Sequence, residues 1–278
     1  MKKITRRSFL AAAGLTAAAL ALTACGGSSS STASSTASSA AFSEAASSSA
    51  AAELTTVEAG KLTMATNATF PPYEMTTDTG AFEGIDVDTA QAIAEKLGLE
   101  LQIDDMEFDA ALLSVQQGKA DIVMAGVTVT DERKAVMDFS DSYATGIQSI
   151  IVPEGSDIAT PDDLAGKKIG TQRGTTGYIY CSDDFGDENV VAYDSGLTAV
   201  QALNNGQVDA VVIDNAPAQE YVAANPGLVV LDTSYAEEDY AIGMAKGSAL
   251  EDAINAALEE LKADGTLQSI VDKYITAE

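Results

Sequence analysis

The chain has 278 residues, of which 42 are acidic and 15 are basic, so its formal net charge at pH 7 is −27. This charge argues against a nucleic-acid or anionic-lipid partner, because both repel an acidic surface. The chain contains no histidine, which excludes histidine-based nucleophilic and acid–base catalysis and most zinc chemistry, and we expect neither a metal nor a cofactor.

The N-terminus is typical of an export signal. Four basic residues lie within the first seven, and an uncharged apolar run follows over residues 9–24. This run is short for a membrane-spanning helix. Residues 22–26, Leu-Thr-Ala-Cys-Gly, resemble a bacterial lipobox, so we predict a signal peptide over 1–24 and an extracytoplasmic protein anchored to the cell membrane by lipid on Cys25. The alternative is an ordinary signal peptide with a chance cysteine. Residues 5–10 also resemble a twin-arginine signal, so both export routes stay open.

A low-complexity tract follows. Residues 26–52 consist almost wholly of Ser, Ala, Thr and Gly, a composition that cannot bury enough apolar surface to fold. We predict a disordered, lipid-anchored linker over residues 25–58. The folded part that follows has roughly 225 residues, within the range of one large or two small domains. Cys181 is the only other cysteine, so no internal disulfide is expected.

Hydrophobic periodicity predicts alternating strands and helices. Apolar residues at helical spacing predict a helix over residues 86–97, and Gly98 stands where a C-terminal stop belongs. The other segments predicted before Pro153 are strands at 61–66, 99–103 and 122–125 and a helix at 110–117. The segments predicted after it are strands at 168–171 and 210–213, a helix opening at Gly177 and a helix at 197–204. This βαβ alternation predicts parallel strands connected by crossover helices.

The two halves contain an internal repeat. Residues 113–123 and 201–211 each run from a helix through a glycine and, three residues later, an aspartate into an apolar strand. Eight residues after the glycine stand Gly126 in the first copy and Asp214 in the second, so these two residues mark equivalent strand ends. Ligands of open α/β sheets bind at such carboxyl ends. The alternative is that Gly-x-x-Asp is merely a common helix-to-strand turn.

The chain crosses between the halves twice. Residues 147–153 and 240–246 read as extended segments at the junction, and residues 250–275 predict two amphipathic helices broken at residues 264–265. This order predicts a first lobe, a second lobe inserted after it, and a return of the chain to the first.

Four motifs resemble the polar amino-acid family of periplasmic substrate-binding proteins, which serve ABC-type importers. They are Asn-Ala-Thr-Phe-Pro-Pro-Tyr-Glu at 67–74, Gly-Ile-Asp-Val-Asp at 84–88, Val-Thr-Val-Thr-Asp-Glu-Arg at 127–133 and Asp-Phe-Ser-Asp-Ser-Tyr at 138–143.

The resemblance covers residues 61–274. It implies a periplasmic-binding-protein-like type II α/β fold, in which two lobes joined by two hinge strands close on a ligand. The first lobe would comprise residues 59–147 and 241–278, and the second 148–240. It also implies a monomer whose partners are a small-molecule amino acid and the membrane subunits of an ABC importer.

The zwitterionic end of an amino acid sets the chemistry that its pocket needs. Arg133 offers a planar fork that matches a carboxylate. It lies three residues after Thr130, a predicted N-cap, in a helical turn whose dipole asks for a compensating anion. The alternative is a surface arginine paired with Asp131 or Glu132. The family motif favours ligand binding.

The second lobe offers two further groups. Thr175 and Thr176 lie between a strand and a helix, where free N–H groups can hold a carboxylate; a generic N-cap is the alternative. Asp214 is the expected partner of the α-ammonium, helped by the Gly126 carbonyl and the Thr128 hydroxyl. Its alternative role is also that of an N-cap.

The resemblance also places the ligand's side chain. Phe70 and Phe108 match positions whose rings sandwich it, with core packing as the alternative, and Gln172 also faces the pocket. Asn67 is neutral where relatives that bind cationic amino acids are often acidic. This favours a polar uncharged ligand, although Glu74 or Asp109 could supply a charge.

Two other classes of function fit the same fold. A dehydratase or lyase would need a positioned acid–base group, which without histidine would rest on Glu74 or Asp109, so we expect no enzyme activity. A sensor would present its ligand to a separate receptor. The sequence favours a transport binding protein over both.

Overall fold

The computed structural model describes residues 54–275. The predicted signal peptide, Cys25 and the linker up to residue 53 lie outside the described residues.

The helices and strands follow the predicted alternation. Before the first crossing, in chain order, they are β1 (Lys61–Thr66), β2 (Thr69–Phe70), β3 (Glu74–Thr76), β4 (Phe82–Glu83), α1 (Ile85–Leu97), β5 (Glu100–Asp105), α2 (Phe108–Gln116), β6 (Ile122–Val123), α3 (Asp131–Lys134) and β7 (Met137–Phe139). The middle section contains β8 (Ala144–Pro153), β9 (Ile169–Gln172), α4 (Thr176–Phe185), β10 (Val190–Tyr193), α5 (Gly196–Asn204), β11 (Ala210–Asp214), α6 (Asn215–Ala224), β12 (Leu228–Val230) and β13 (Ala236–Tyr240). The last section contains β14 (Gly243–Ala245), α7 (Glu251–Ala263) and α8 (Thr266–Tyr274).

Two sheets form two lobes, which confirms the predicted type II architecture. The first sheet has the order β5-β1-β6-β14-β7, and the second has the order β10-β9-β11-β8-β12 with β13 added along β8. β1 pairs in parallel with β5 and β6, and β9 pairs in parallel with β10 and β11. The chain passes to the second sheet between Phe139 and Ala144 and returns between Tyr240 and Gly243.

The helices form where the sequence predicts them, because each buries one apolar face. In α1, Ala90, Ile93 and Ala94 are fully buried, and the helix ends at Gly98 with a left-handed φ of 70°. A residue with a Cβ would be strained there, so glycine is the residue that such a C-terminal cap favours. The predicted stop at Gly98 is confirmed.

The internal repeat has the same structural role in both lobes. In each copy the glycine after the helix has a φ of 65°, and the following aspartate ties the turn to the neighbouring strand. The Asp121 carboxylate accepts the N–H of Thr63 at 2.8 Å, and the Asp209 carboxylate accepts the N–H of Lys168 at 2.8 Å. The common-turn interpretation is therefore correct. The turn sets β6 beside β1 and β11 beside β9, so the strand ends at Gly126 and Asp214 are equivalent.

Across residues 54–275, no helix is long and apolar enough to cross a membrane.

Candidate functional site

A cavity lies between the two lobes. Its wall contains all ten predicted ligand-binding residues and two more, Glu74 and Ala125. The predicted ten are Asn67, Phe70, Phe108, Gly126, Thr128, Arg133, Gln172, Thr175, Thr176 and Asp214.

The cavity lies at the carboxyl ends of the central strands. Asn67 follows β1, Gly126 follows β6, Gln172 ends β9 and Asp214 ends β11. Because parallel strands of one sheet end at the same edge, residues distant in sequence meet there. The Asn67 carboxamide oxygen accepts a hydrogen bond from the Gln172 amide at 2.9 Å, so the two lobes touch through cavity residues.

Arg133 is held in place from both lobes. Its backbone N–H is capped by the Thr130 hydroxyl at 3.1 Å, as predicted. Its guanidinium donates to the carbonyl of Thr128 at 2.8 Å and to that of Gly174, in the other lobe, at 3.1 Å, and it lies 5.3 Å from the centre of the Phe108 ring. The side chain is buried, so the interpretation as a surface arginine paired with its acidic neighbours is wrong. Burial lowers the pKa of Arg133, because desolvation disfavours the charged form, and Glu238 and Asp214 offset this only in part. An anion in the cavity would stabilise the cation further.

Asp214 provides the opposite charge from the second lobe. It directly precedes α6, but its carboxylate accepts a hydrogen bond from the Tyr240 hydroxyl instead of capping the helix. Burial, and after it the nearby Glu238, raises the pKa of Asp214 to about 7. The Glu238 carboxylate in turn accepts hydrogen bonds from the Thr128 hydroxyl at 3.2 Å and the Gln148 amide at 2.9 Å. A cation beside Asp214 would stabilise its ionised form.

Glu74 is the cavity residue with the most unusual surroundings. It is completely buried, and neither carboxylate oxygen has a hydrogen-bond partner among the described residues. Burial, followed by the proximity of Asp86, raises the pKa of Glu74 well above its ordinary value. Asp86 itself accepts the N–H of Gly126 at 3.0 Å, and burial raises its pKa to about 6. The raised pKa favours the protonated carboxyl, which can donate as well as accept, and a cationic side chain in the cavity would favour its ionised form.

Three of the predicted site residues serve the fold as well. The Thr175 hydroxyl caps α4 by accepting the N–H of Tyr178 at 3.4 Å, so the N-cap interpretation is correct for a residue that also lines the cavity. The rings of Phe70 and Phe108 are buried, and Phe70 stacks on Tyr73 with the ring centres 5.8 Å apart. Both rings therefore pack in the core and also form part of the cavity wall. Asp109, the other acidic residue considered, lies in a neighbouring cleft with Arg173.

The buried carboxyl groups predict that the ligand-free protein becomes less stable as the pH rises. The pKa values of Asp86 and Asp214, about 6 and about 7, lie above the 3.8 of an unperturbed aspartate. Their stabilising contribution is therefore fully present below about pH 4 and is lost as the pH rises through 6 and 7. Between pH 5 and 8 we expect a loss on the order of 4 kcal/mol and a fall in Tm on the order of 10 °C.

Differential scanning calorimetry of the ligand-free protein measures this fall directly. Asp86→Asn keeps the acceptor for the Gly126 N–H but cannot titrate, so it should flatten the curve around pH 6. A Tm that rises between pH 5 and 8 would contradict the assignment of these raised pKa values.

Known proteins that are similar to this chain point to one family. The family model described as bacterial extracellular solute-binding proteins, family 3, matches residues 62–277. The L-cystine-binding protein TcyJ of Escherichia coli K12 is 34% identical over 226 residues, which cover 80% of this chain and 85% of that protein.

Two solved structures are similar in fold and sequence. The arginine-, lysine-, histidine-binding protein ArtJ of Geobacillus stearothermophilus has a TM-score of 0.75 and 35% identity, covering 78% of this chain and 96% of that one. An ancestral arginine-binding protein bound to glutamine has a TM-score of 0.75 and 42% identity, covering 78% of this chain and 99% of that one.

Proposed function

Because this chain belongs to family 3 of the bacterial extracellular solute-binding proteins, we propose that it captures an α-amino acid between its lobes and delivers it to an ABC-type importer. The main support is that one cavity is lined both by Arg133, from the first lobe, and by Asp214, from the second lobe. A zwitterion that pairs with both bridges the lobes. Its affinity for the closed state then exceeds its affinity for the open one, as a closing trap requires.

The backbone end of the ligand has a matching group for each charge. The Arg133 guanidinium and the N–H groups at the start of α4, near Thr175 and Thr176, would hold the carboxylate. The Asp214 carboxylate, the Gly126 carbonyl and the Thr128 hydroxyl would hold the ammonium.

The side-chain end favours a ligand that donates hydrogen bonds. The two buried carboxyl oxygens of Glu74 have no hydrogen-bond partner among the described residues, and Gln172, whose amide is hydrogen-bonded to Asn67, lines the same cavity. An ammonium, a guanidinium or a side-chain amide satisfies such acceptors. Glu74 thus extends the ligand class favoured by Asn67 alone, from polar uncharged side chains to cationic ones. Similar proteins are named for arginine, lysine, histidine and cystine.

Thermal shift with the twenty amino acids, cystine and ornithine tests the proposal. A ligand that binds only the folded state raises Tm. At a concentration a hundredfold above Kd it adds about 2.7 kcal/mol to the free energy of unfolding. At least one amino acid with a donor-bearing side chain should do so. The proposal fails if none of the panel shifts Tm.

Replacing Glu74 with glutamine should change the selectivity. The variant keeps the shape of the side chain but cannot ionise beside a cation, so the Kd for a cationic amino acid should rise about a hundredfold, whereas the Kd for glutamine should change less than about threefold. Glu100→Gln is the matched control, because the exposed Glu100 begins β5, at the end of the first sheet opposite the cavity, and should leave both values unchanged. Calorimetric titration measures all of them. Equal losses for both ligands would show that Glu74 does not meet the side chain.

The wider setting follows from the family and the N-terminus. The protein functions outside the cytoplasm, as the extracellular family to which it belongs implies. We propose that residues 1–24 are removed, that lipid on Cys25 anchors the chain through the linker over residues 25–58, and that a monomer meets the importer's membrane subunits. The lobes would comprise residues 59–147 with 241–278, and 148–240. Similar proteins are named as arginine- and glutamine-binding proteins of ABC transporters, which supports capture without catalysis.

A further inference from the structure

Tyr221 joins the two lobes beside the cavity without lining it. Its hydroxyl, on α6 of the second lobe, donates to the backbone carbonyl of Thr69, on β2 of the first lobe. The side chain is buried, and neither residue lines the cavity. This hydrogen bond is called the latch below.

Bonds such as that from the Val129 N–H to the Asp239 carbonyl join the lobes at the hinge. The latch also differs from three hydrogen bonds that cross the cleft at the cavity. Each of the three involves at least one cavity residue: they are the Gln172–Asn67 bond, the 3.4 Å contact between the hydroxyls of Thr128 and Thr176, and the bond from Arg133 to the Gly174 carbonyl. A ligand that enters the cavity competes with those groups or rearranges them. Neither residue of the latch lines the cavity, so a ligand there does not compete for this bond, and its contribution to closure should not depend on the ligand's chemistry.

The surroundings hold both ends of the latch in register. A Cβ on Gly196 would lie 3.1 Å from a ring carbon of Tyr221, so the absence of a side chain at the start of α5 lets the ring lie against that helix. At the other end of the latch, the Thr69 hydroxyl donates to the carboxamide oxygen of Asn67 at 3.1 Å. The backbone N–H of Thr69 donates to the backbone carbonyl of Asn67 at 2.6 Å. The acceptor therefore belongs to a turn fixed against the cavity wall.

We propose that Tyr221 is a positioning residue that raises the affinity for every ligand by the same factor, because its hydrogen bond to the Thr69 carbonyl stabilises the closed state. The affinity effect rests on the proposed function, whereas the effect on closure does not. A ligand that binds the closed state has an apparent Kd inversely proportional to the closed fraction. Losing the latch should therefore weaken binding without changing which ligand binds best.

Tyr221→Phe tests the latch, because phenylalanine keeps the ring and its packing. Every amino acid that binds should show a Kd about three- to tenfold higher, mainly through faster dissociation, with the order of affinities unchanged. Tyr235→Phe is the matched control. Its hydroxyl donates to Asp184 at 2.6 Å within the second lobe, so no bond between the lobes is lost. Unchanged Kd values in Tyr221→Phe, or factors that differ strongly between ligands, would overturn the proposal.

A second measurement needs no ligand. Dyes can be attached through Lys119→Cys and Asp183→Cys, both at exposed positions. Lys119 lies just beyond the end of α2 that points away from the cleft, and Asp183 lies near the corresponding end of α4. Cys181 is buried and should not react with the dyes. Energy transfer between dyes on these positions should show a smaller closed fraction in empty Tyr221→Phe than in the same labelled protein without that change or with Tyr235→Phe. Identical distributions would overturn the latch. If no amino acid binds but Tyr221→Phe still opens the protein, the proposed function fails and the latch stands.

Discussion

Replacing Arg133 with alanine is expected to weaken amino-acid binding by two to three orders of magnitude, about 3–4 kcal/mol, while the Tm of the ligand-free protein changes by only a few degrees. The guanidinium is the buried cation of the cavity, and its plane is fixed by the carbonyls of Thr128 and Gly174. Alanine leaves the ligand carboxylate desolvated without a partner. The empty protein loses two hydrogen bonds but no longer carries a buried charge, so the two changes offset each other.

Arg173→Ala is the matched control for Arg133→Ala. Arg173 lies close by, but it is exposed and its nearest acidic partner, Asp194, is 3.7 Å away. Its loss should change the Kd less than about twofold, because exposed ion pairs contribute little. Calorimetric titration gives the Kd values, and calorimetry without ligand gives the Tm. If Arg133→Ala binds as tightly as the wild type, the guanidinium does not bind the ligand. If the variant fails to fold, the guanidinium is structural.

Replacing Asp214 with asparagine is expected to weaken binding by about a hundredfold or more at pH 8, because a buried ammonium loses its counter-charge. The ligand-free protein should be no less stable there, since asparagine can still accept from Tyr240 and removes a carboxylate whose ionisation opposes folding. Asp239→Asn, on the same hinge strand as Tyr240 but exposed, removes a charge without touching the cavity and should bind normally.

The pH dependence separates this role from general charge effects. Since the pKa of Asp214 is about 7 without ligand, an ammonium must bind with release of a proton at lower pH. The wild-type affinity should therefore fall by up to about tenfold per pH unit below 7. Asp214→Asn should lack this slope. The assignment of Asp214 to the ammonium is refuted if the variant binds within about threefold of the wild type at pH 8.

Much of the fold was predictable because its signals are local. The helical spacing over residues 86–97, the stop at Gly98 and the repeat that places Gly126 opposite Asp214 each depend on a few neighbouring residues. The motifs then brought ten residues together on one cavity wall. Helix starts were less accurate: α2 begins at Phe108, two residues before the predicted start at Ala110, because a buried aromatic at a helix start has no periodic signal of its own.

The polar groups behind the cavity were not predicted, since their burial depends on how the hinge strands meet. Glu238 stands between Glu237 and Asp239, and such an acidic run usually indicates an exposed surface. In β13 the alternation of a strand turns Glu238 inward beside Tyr240 while its neighbours face outward. Gln148 reaches the same place from β8. Glu74 was considered only as a source of charge, because sequence alone does not show that its oxygens lack partners.

A crystal structure with the amino acid that shifts Tm most tests the central claim most directly. We expect closed lobes, with the α-carboxylate within hydrogen-bonding distance of the Arg133 guanidinium and the α-ammonium against the Asp214 carboxylate. The ligand's side chain should lie between Phe70 and Phe108, with its donors toward Glu74. A ligand bound elsewhere, or one in this cavity with its ammonium away from Asp214 and its carboxylate away from Arg133, would contradict this claim.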